Sequence, residues 1–397
     1  MFFTESEVYM KRVLFTIYSV LILFVYTISC SVIQNTQVFA KTDTNIETEA
    51  KSILLMDYNS NTIILEKNSK ARLPIASMVK LMTILLTYEA IENNQFSLQT
   101  KVSTTENAAK MGGSQVFIDP FVEYSVNDLL KSVIMASAND ASVALAEYIC
   151  GSEVEFVNLM NKRAKELGME NTLYANCTGL PAPEQYSCAY DCAIVLKEVM
   201  KHEHYHTISN VWMDTLTHPS GRKTELVNTN KLVKYYKGCD SGKTGSTSEA
   251  GYCLTTSAIR DGFRLIAVVI GSKTGQDRFK DASTLLNFGF ANYENKIILD
   301  SNTPIIENYR ILQAKCGYAN IYVNESFYGL CKKGNKTGYD ITYEIDQIKA
   351  PLKSGDKVGT LFIAQNGIVI KSVYLIVNQD IEKNGFYDNL KQITQNW

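Results

Sequence analysis

Pro74-Ile75-Ala76-Ser77-Met78-Val79-Lys80-Leu81-Met82-Thr83-Ile84-Leu85-Leu86-Thr87-Tyr88-Glu89-Ala90-Ile91 is apolar almost all round from Met78 onward. A helix without a polar stripe has to be buried on every side, so this segment predicts a central helix with structure packed against all of its faces. Working upstream, Ser52 to Glu66 alternates polar and apolar residues around Asp57-Tyr58-Asn59-Ser60-Asn61, which is the turn chemistry of a hairpin. Downstream, Ser125 followed by Asp128 resembles a capping box that opens a helix over 126–136, and 140–150 and 156–167 carry helical periodicity as well. A helical lobe therefore follows the hairpin. Residues 252–258 and 263–270 favour strands joined by a turn at Arg260-Asp261-Gly262, and 279–293 returns to helical spacing. Strands at both ends with helices between them imply a mixed α/β layer whose first hairpin joins a sheet completed much later in the chain.

From about Asn295 the texture changes to short alternating runs at 319–323, 338–345, 357–363 and 368–377, which predict a small all-β domain over 296–383. The last residues, 384–397, place Phe386, Leu390, Ile393 and Trp397 on one stripe of a short amphipathic helix. Such a stripe either packs on the body or lies in a membrane interface. At the other end, Met10-Lys11-Arg12 precedes an apolar run over 13–33, and Val38-Phe39-Ala40 offers a cleavage site. Residues 1–40 therefore read as a secretory signal whose effective start is Met10, although the run is also long enough for an uncleaved anchor. Either way the body, beginning near 41, is expected outside the cytoplasmic membrane.

At 397 residues the chain is too long for one typical domain, and 46% apolar content places it well inside the folded range. Lys plus Arg number 39 against 41 for Asp plus Glu, a balance that gives no footprint for nucleic-acid phosphates. Nine cysteines are scattered without paired zinc-type spacing, so neither a disulfide framework nor a structural zinc is signalled, and free thiols are expected.

Acyl transfer from an amide needs a nucleophile, a base, oxyanion donors and a grip on the substrate. Ser77-Met78-Val79-Lys80 stands where a turn enters the central helix. Positions i and i+3 share a helical face, so Lys80 reaches Ser77, and burial disfavours the ammonium form and prepares it as a base. The pattern recurs at Ser220–Lys223 and Ser354–Lys357, but there Gly in the second position and the lack of a following apolar helix predict surface turns. Ser125-Val126-Asn127 reads as a helix cap, whereas Ser137-Ala138-Asn139 joins two apolar helices and should sit deep. Of three Lys-Thr-Gly triplets, at 243–245, 273–275 and 336–338, only the first precedes a strand-like run, at 250–258. A lysine, a hydroxyl and an open backbone at the mouth of that strand could receive an extended ligand ending in a carboxylate.

In the order Ser77, Ser137, Lys243 these elements resemble the S-x-x-K, S-x-N and K-T-G signatures of the serine penicillin-binding protein and β-lactamase superfamily. Pro74–Thr83, Ser137-Ala138-Asn139-Asp140-Ala141, Met160-Asn161 with Leu167-Gly168-Met169, and Gly242–Gly245 with Ala250-Gly251-Tyr252 are similar to the blocks of the low-molecular-mass D-alanyl-D-alanine carboxypeptidases. The resemblance runs from about 50 to 295, and Ala350-Pro351-Leu352 with Gly355 and Val358-Gly359 is similar to that family's carboxy-terminal β domain. It implies a transpeptidase-like α/β fold, an antiparallel sheet flanked by helices with a helical lobe, over 41–295.

For the residues, the resemblance implies that Ser77 attacks the penultimate D-alanine carbonyl while Lys80 takes its proton. It further implies that Ser137 relays a proton to the leaving D-alanine and that Asn139 binds the peptide. Lys243 with Thr244 and Gly245 would hold the terminal carboxylate, and the N–H groups of Ser77 and Ser246 would form the oxyanion hole. The implied partners are stem peptides ending in D-Ala-D-Ala and, as covalent inhibitors, β-lactams, with no metal or organic cofactor required. The implied location is the cell envelope at the outer face of the cytoplasmic membrane. One departure stands at Tyr186–Asp191, where the family usually has Thr and Arg in place of Cys188 and Tyr190.

Competing readings are weaker. His202-Glu203-His204-Tyr205-His206 invites a metal but sits in a polar stretch expected to be a solvated turn, and the sequons at Asn176, Asn324 and Asn335 are read as coincidental. A β-lactamase would need an added Glu-x-x-Leu-Asn element, whose nearest match is Glu155–Asn158 inside a predicted helix. A transpeptidase or endopeptidase would share every motif, and a non-catalytic wall-binding protein would take no covalent penicillin label.

Overall fold

The computed structural model describes residues 47–334, 338–365 and 367–385. The expected signal and the Phe386–Trp397 stripe lie outside the described residues, and among those described no helix is long and apolar enough to cross a membrane. The amino-terminal hairpin is β1 (Ser52–Asp57) and β2 (Ile63–Lys67), with the Asp57 carboxylate accepting from Ser60 N at 2.8 Å to close the turn. The short pairs β3 (Lys101–Ser103) with β4 (Glu123–Ser125) and β5 (Met213–Thr217) with β6 (Lys223–Val227) rim the helical lobe. The long strands β7 (Cys239–Thr247), β8 (Gly251–Arg260) and β9 (Phe263–Ser272) complete an antiparallel sheet of order β2-β1-β9-β8-β7. The first hairpin thus joins strands two hundred residues away, as the pattern predicts, and β7 is left as an edge.

Period two decides which core each strand residue enters. Leu54, Met56, Ile266, Val268 and Ile270 face the helical lobe. Ile53, Leu55, Leu265, Ala267 and Val269 face the helix Gly275–Asn292 on the opposite side. Between sheet and lobe runs the helix Lys80–Glu92, with ten of its thirteen residues buried. Its polar interior groups are paired: Thr83 Oγ1 donates to the Cys177 carbonyl at 2.9 Å and Thr87 Oγ1 to the Thr83 carbonyl at 2.8 Å. The sequence pattern places the helix start at Met78, but residues 76–79 form a 3₁₀ turn first, with Met78 N reaching back to Ile75 O at 3.3 Å. No side chain caps that start, and Ala76 sits at φ 48°. The Ser125 cap is as read, its hydroxyl accepting from Asp128 N at 3.0 Å ahead of the helix Val126–Met135.

The helix Gly275–Asn292 runs straight into β10 (Tyr293–Leu299). Beyond it come β11 (Ile306–Arg310), β12 (Tyr318–Val323), β13 (Phe327–Lys332), β14 (Tyr339–Ile345), β15 (Lys357–Gln365) and β16 (Ile368–Val377). β10 pairs with β13, and the rest form a sheet of order β11-β12-β16-β15-β14 around a third core that includes Ile321, Leu361, Ile363 and Leu375. The α/β domain followed by a small all-β domain is the predicted fold class. Two local readings need correction. Lys243-Thr244-Gly245 does precede a strand, β8, but itself lies inside β7, a strand the pattern does not mark. The histidine-rich stretch opens the helix Glu203–Ser209 instead of a solvated turn, because Tyr205 inserts into the core and His202 stacks on Tyr88 at 5.0 Å.

Candidate active site

The 3₁₀ turn holds Ser77 at the mouth of the central helix, and one turn on, the wholly buried Lys80 points its ammonium group back. Lys80 Nζ donates to Ser77 Oγ at 3.1 Å, to Asn139 Oδ1 at 2.6 Å and to the Thr178 carbonyl. Burial drives its pKa down to about 7, opposed by the Cys177 and Asp140 side chains nearby. Burial thus favours the neutral amine while the side chain is aimed at a hydroxyl.

Ser137 and Asn139 sit deep, as their position between two helices requires. Asn139 is fixed from both ends: its Nδ2 donates to Gly112 O at 2.6 Å and its backbone N to Ser114 O at 2.7 Å. Ser137 is held at φ 60°, and its buried Oγ has no hydrogen-bond partner. A non-glycine residue in the left-handed region beside an unpaired buried hydroxyl is the kind of local cost that active sites keep.

Lys243 is buried on β7, its Nζ donating to the Thr244 carbonyl at 3.1 Å. Burial holds its pKa far below the ordinary lysine value, and the charges of Lys80 and Arg278 push in the same direction, with no acid opposing them. Thr244 and Gly245 are buried beside it, whereas Ser246 is exposed. The structure brings Lys80 onto both Ser77 and Asn139 and sets Gly245 of β7 against the Ile75–Ser77 backbone, with Ser137 two residues before Asn139. The decoys stay away: Ser220 and Ser354 lie in exposed turns, Ser125 and Thr274 are helix caps, and most of the 336–338 triplet lies outside the described residues.

Glycine is what lets these distant segments meet. A Cβ on Gly245 would stand 2.4 Å from the Ile75 carbonyl and 3.1 Å from Ser77 N, so β7 presses directly on the turn that carries Ser77. A Cβ on Gly179, at φ 81°, would stand 2.1 Å from the Ala76 carbonyl. We expect Gly179→Ala to destabilise by more than ~2 kcal/mol, since strain and a backbone clash add. Gly151→Ala, also at φ 79° but with open space around it, should cost only ~1 kcal/mol. Thermal unfolding of the two variants side by side checks the difference.

Several supporting residues escape sequence reading. Asn176 Oδ1 accepts from Thr178 N at 3.2 Å and Gly179 N at 2.7 Å, and this Asx-type turn aims the Thr178 carbonyl at Lys80. Asn176 to Gly179 carried that turn signal but was legible only as a sequon. Asp140 accepts from Val116 N and Ile118 N, each at 3.1 Å, and ties a loop to the Asn139 segment. Arg278 donates to Gly245 O at 3.1 Å and Cys253 O at 3.3 Å, with its guanidinium over the Tyr252 and Phe279 rings. Its buried Nε has no partner, which leaves a donor unused at the head of the Lys-Thr-Gly strand. Nothing but its charge on an otherwise ordinary helix marked it in the sequence.

Cys188, in the departing block, caps the helix Ala189–Val199 through a 3.4 Å bond from Asp191 N to its Sγ. Burial raises that thiol to about 12, so it serves as a neutral cap where a hydroxyl would otherwise sit. The eight described cysteines are unpaired. The three histidines of the 202–206 stretch have separate partners: His202 contacts Glu92, His204 contacts Tyr88 OH, and His206 contacts the Met200 carbonyl.

Comparison with known proteins shows the family of the chain. The D-alanyl-D-alanine carboxypeptidase family profile matches residues 37–274, and that of the penicillin-binding protein 5 C-terminal domain matches 293–383. The chain is 39% identical to D-alanyl-D-alanine carboxypeptidase DacF of Bacillus subtilis (strain 168), over 98% of this chain and 99% of that one. It is 34% identical to D-alanyl-D-alanine carboxypeptidase DacC of Escherichia coli (strain K12), covering 85% and 86% of the two. Among solved structures, penicillin-binding protein 5 of Haemophilus influenzae superposes with a TM-score of 0.72 at 32% identity, over 86% of this chain and all of that one. With a family profile over residues 37–274 and relatives 39% and 34% identical across most of its length, this chain belongs to the D-alanyl-D-alanine carboxypeptidase family.

Proposed function

We propose that Ser77 is the residue through which this serine-type D-alanyl-D-alanine carboxypeptidase takes the acyl group of a peptidoglycan stem peptide. The observation that carries the assignment is the buried Lys80 ammonium within hydrogen-bond reach of Ser77 Oγ at 3.1 Å. Neutral Lys80 accepts the hydroxyl proton as Ser77 Oγ adds to the carbonyl of the penultimate D-alanine. The oxyanion forms against the N–H groups of Ser77 and Ser246, on the two segments that Gly245 allows into contact. Collapse of that adduct breaks the peptide bond, and the Ser137 hydroxyl, buried with no hydrogen-bond partner of its own, passes a proton to the departing D-alanine nitrogen. Asn139 holds the peptide amide, and water then cleaves the Ser77 ester, returning the enzyme and a shortened stem. A β-lactam enters the same acylation and stays on Ser77.

The terminal carboxylate belongs at Lys243, Thr244 and Arg278. A buried lysine beside a half-buried arginine, with no carboxylate among the groups that shift them, is costly, and an arriving carboxylate supplies the missing counter-charge. A β-lactamase reading finds no base at the nearest match: Glu155 lies on the exposed side of the helix Glu153–Glu166, its carboxylate accepting from Asn158 Nδ2 at 3.4 Å. In the same reading residues 41–295 carry the chemistry at the cell wall, followed by the β-rich domain over 296–383, and the Phe386–Trp397 stripe either packs on the body or lies in the membrane interface.

The test uses diacetyl-L-lysyl-D-alanyl-D-alanine beside the same peptide amidated at its C terminus. The free acid should release D-alanine, while the amide should lose about 10²-fold or more in kcat/KM, because a site built for an anion rejects the neutral analogue. Arg278→Gln should raise KM for the acid with a smaller effect on kcat. Equal cleavage of acid and amide would remove the carboxypeptidase assignment.

A further inference from the structure

Phe117 is 59% exposed and held at φ 61°, a conformation that is costly for an aromatic residue and cheap for glycine. The surroundings enforce it. On either side, Val116 and Ile118 are buried, and their backbone N–H groups both donate to the Asp140 carboxylate. The Phe117 carbonyl accepts from the Arg222 guanidinium, which also pairs with Asp119 at 3.5 Å. Three residues earlier the same loop grips the site, through Ser114 O to Asn139 N and Gly112 O to Asn139 Nδ2. A rigid loop wired to Asn139 therefore presents one strained, solvent-facing ring. Phe121 offers a contrast: it is 75% exposed at the same φ of 61°, but its N–H goes to the Thr104 carbonyl on the β3 side.

We infer that Phe117 is a specificity-determining residue, an apolar wall for the aliphatic side arm of the residue that precedes D-Ala-D-Ala. The inference rests on the proposed function: with the terminal carboxylate at Lys243 and the scissile carbonyl at Ser77, the peptide leaves the cleft past Asn139, along the loop that carries Phe117. The residue it meets there is the stem's third, whose long side chain can lie against a ring. The main chain is already bound by Asn139, so the ring adds affinity for that side arm and leaves the acylation chemistry untouched.

The test compares diacetyl-L-lysyl-D-alanyl-D-alanine with acetyl-glycyl-D-alanyl-D-alanine on the full chain, its Phe117→Ala, Phe117→Tyr and Phe121→Ala variants, and follows labelling by a fluorescent penicillin. The unmutated enzyme should prefer the lysyl peptide, and Phe117→Ala should lose about tenfold in kcat/KM on it, through KM. The glycyl peptide and the penicillin labelling rate should stay within about twofold, and both Phe117→Tyr and Phe121→Ala should retain the preference. Equal loss on both peptides would make Phe117 a loop-stabilising residue only, and an unchanged lysyl preference, or its loss in Phe121→Ala, would also overturn the assignment. Failure of the unmutated enzyme to release D-alanine from either peptide would overturn the proposed function itself, and this inference with it.

Discussion

Ser77→Ala abolishes D-alanine release and covalent penicillin labelling together, each by a factor of ~10³ or more, while the protein stays folded. The magnitude follows from the chemistry: without the hydroxyl there is no ester to form, and residual rate comes from binding and oxyanion donors alone. The fold survives because Ser77 is only partly buried and its described hydrogen bond is the one from Lys80. Removing it leaves Lys80 with Asn139 and the Thr178 carbonyl as partners. Mass spectrometry of the unmutated enzyme should place the penicilloyl adduct on the peptide containing Ser77, and Ser220→Ala or Ser354→Ala should label normally, since both serines sit in exposed turns. Labelling that persists in Ser77→Ala would move the nucleophile elsewhere and dissolve the reading of the whole cleft.

That experiment also marks how far local sequence signals reach. The central helix, the capped helix after Ser125 and the β1–β2 hairpin are legible because each is decided by residues within one turn or one strand pair. The depth of Ser137 and Asn139 is legible for the same reason, as a short joint between two apolar helices. What is not legible is contact. That Lys-Thr-Gly is the edge strand itself depends on β8 and β9 folding back to order the sheet. The need for glycine at 179 and 245 arises only when the backbones of 75–77 arrive from a hundred or more residues away. The 3₁₀ start at Ala76 stands where the expected helical turn would be, on the backbone that Gly179 and Gly245 approach without a Cβ. Arg278 and the Asn176 turn are likewise ordinary until the fold aims them. Motif order singles out the candidate residues, and tertiary packing decides which of them touch.

The rate of acylation should follow the protonation of Lys80. A base acts when neutral, and burial places this group at about 7, so kcat/KM should fall about tenfold per pH unit below that value and level off above it. The profile of kcat/KM reports the free enzyme, which is the state described here. Penicillin labelling should show the same inflection, because it uses the same proton acceptor and no leaving amine. Lys80→Arg should lose ~10³-fold or more at every pH, since a guanidinium keeps its proton and cannot serve as a base. The same displacement has a thermodynamic face. The folded pKa lies below the ordinary 10.5, so between about 7 and 10.5 the unfolded chain binds a proton that the native chain does not. The contribution of this lysine to stability is therefore complete above the unfolded value and is lost as pH falls through that window. Lys80→Met removes the titration: its denaturation midpoint should gain on that of the unmutated enzyme as pH drops from 10 toward 7, while its activity is gone. A flat acylation profile across about pH 5.5 to 9 would mean that some other group takes the Ser77 proton. The lysine would then be a structural partner of Asn139 and the Thr178 carbonyl, and the case for Ser77 would have to rest on the adduct alone.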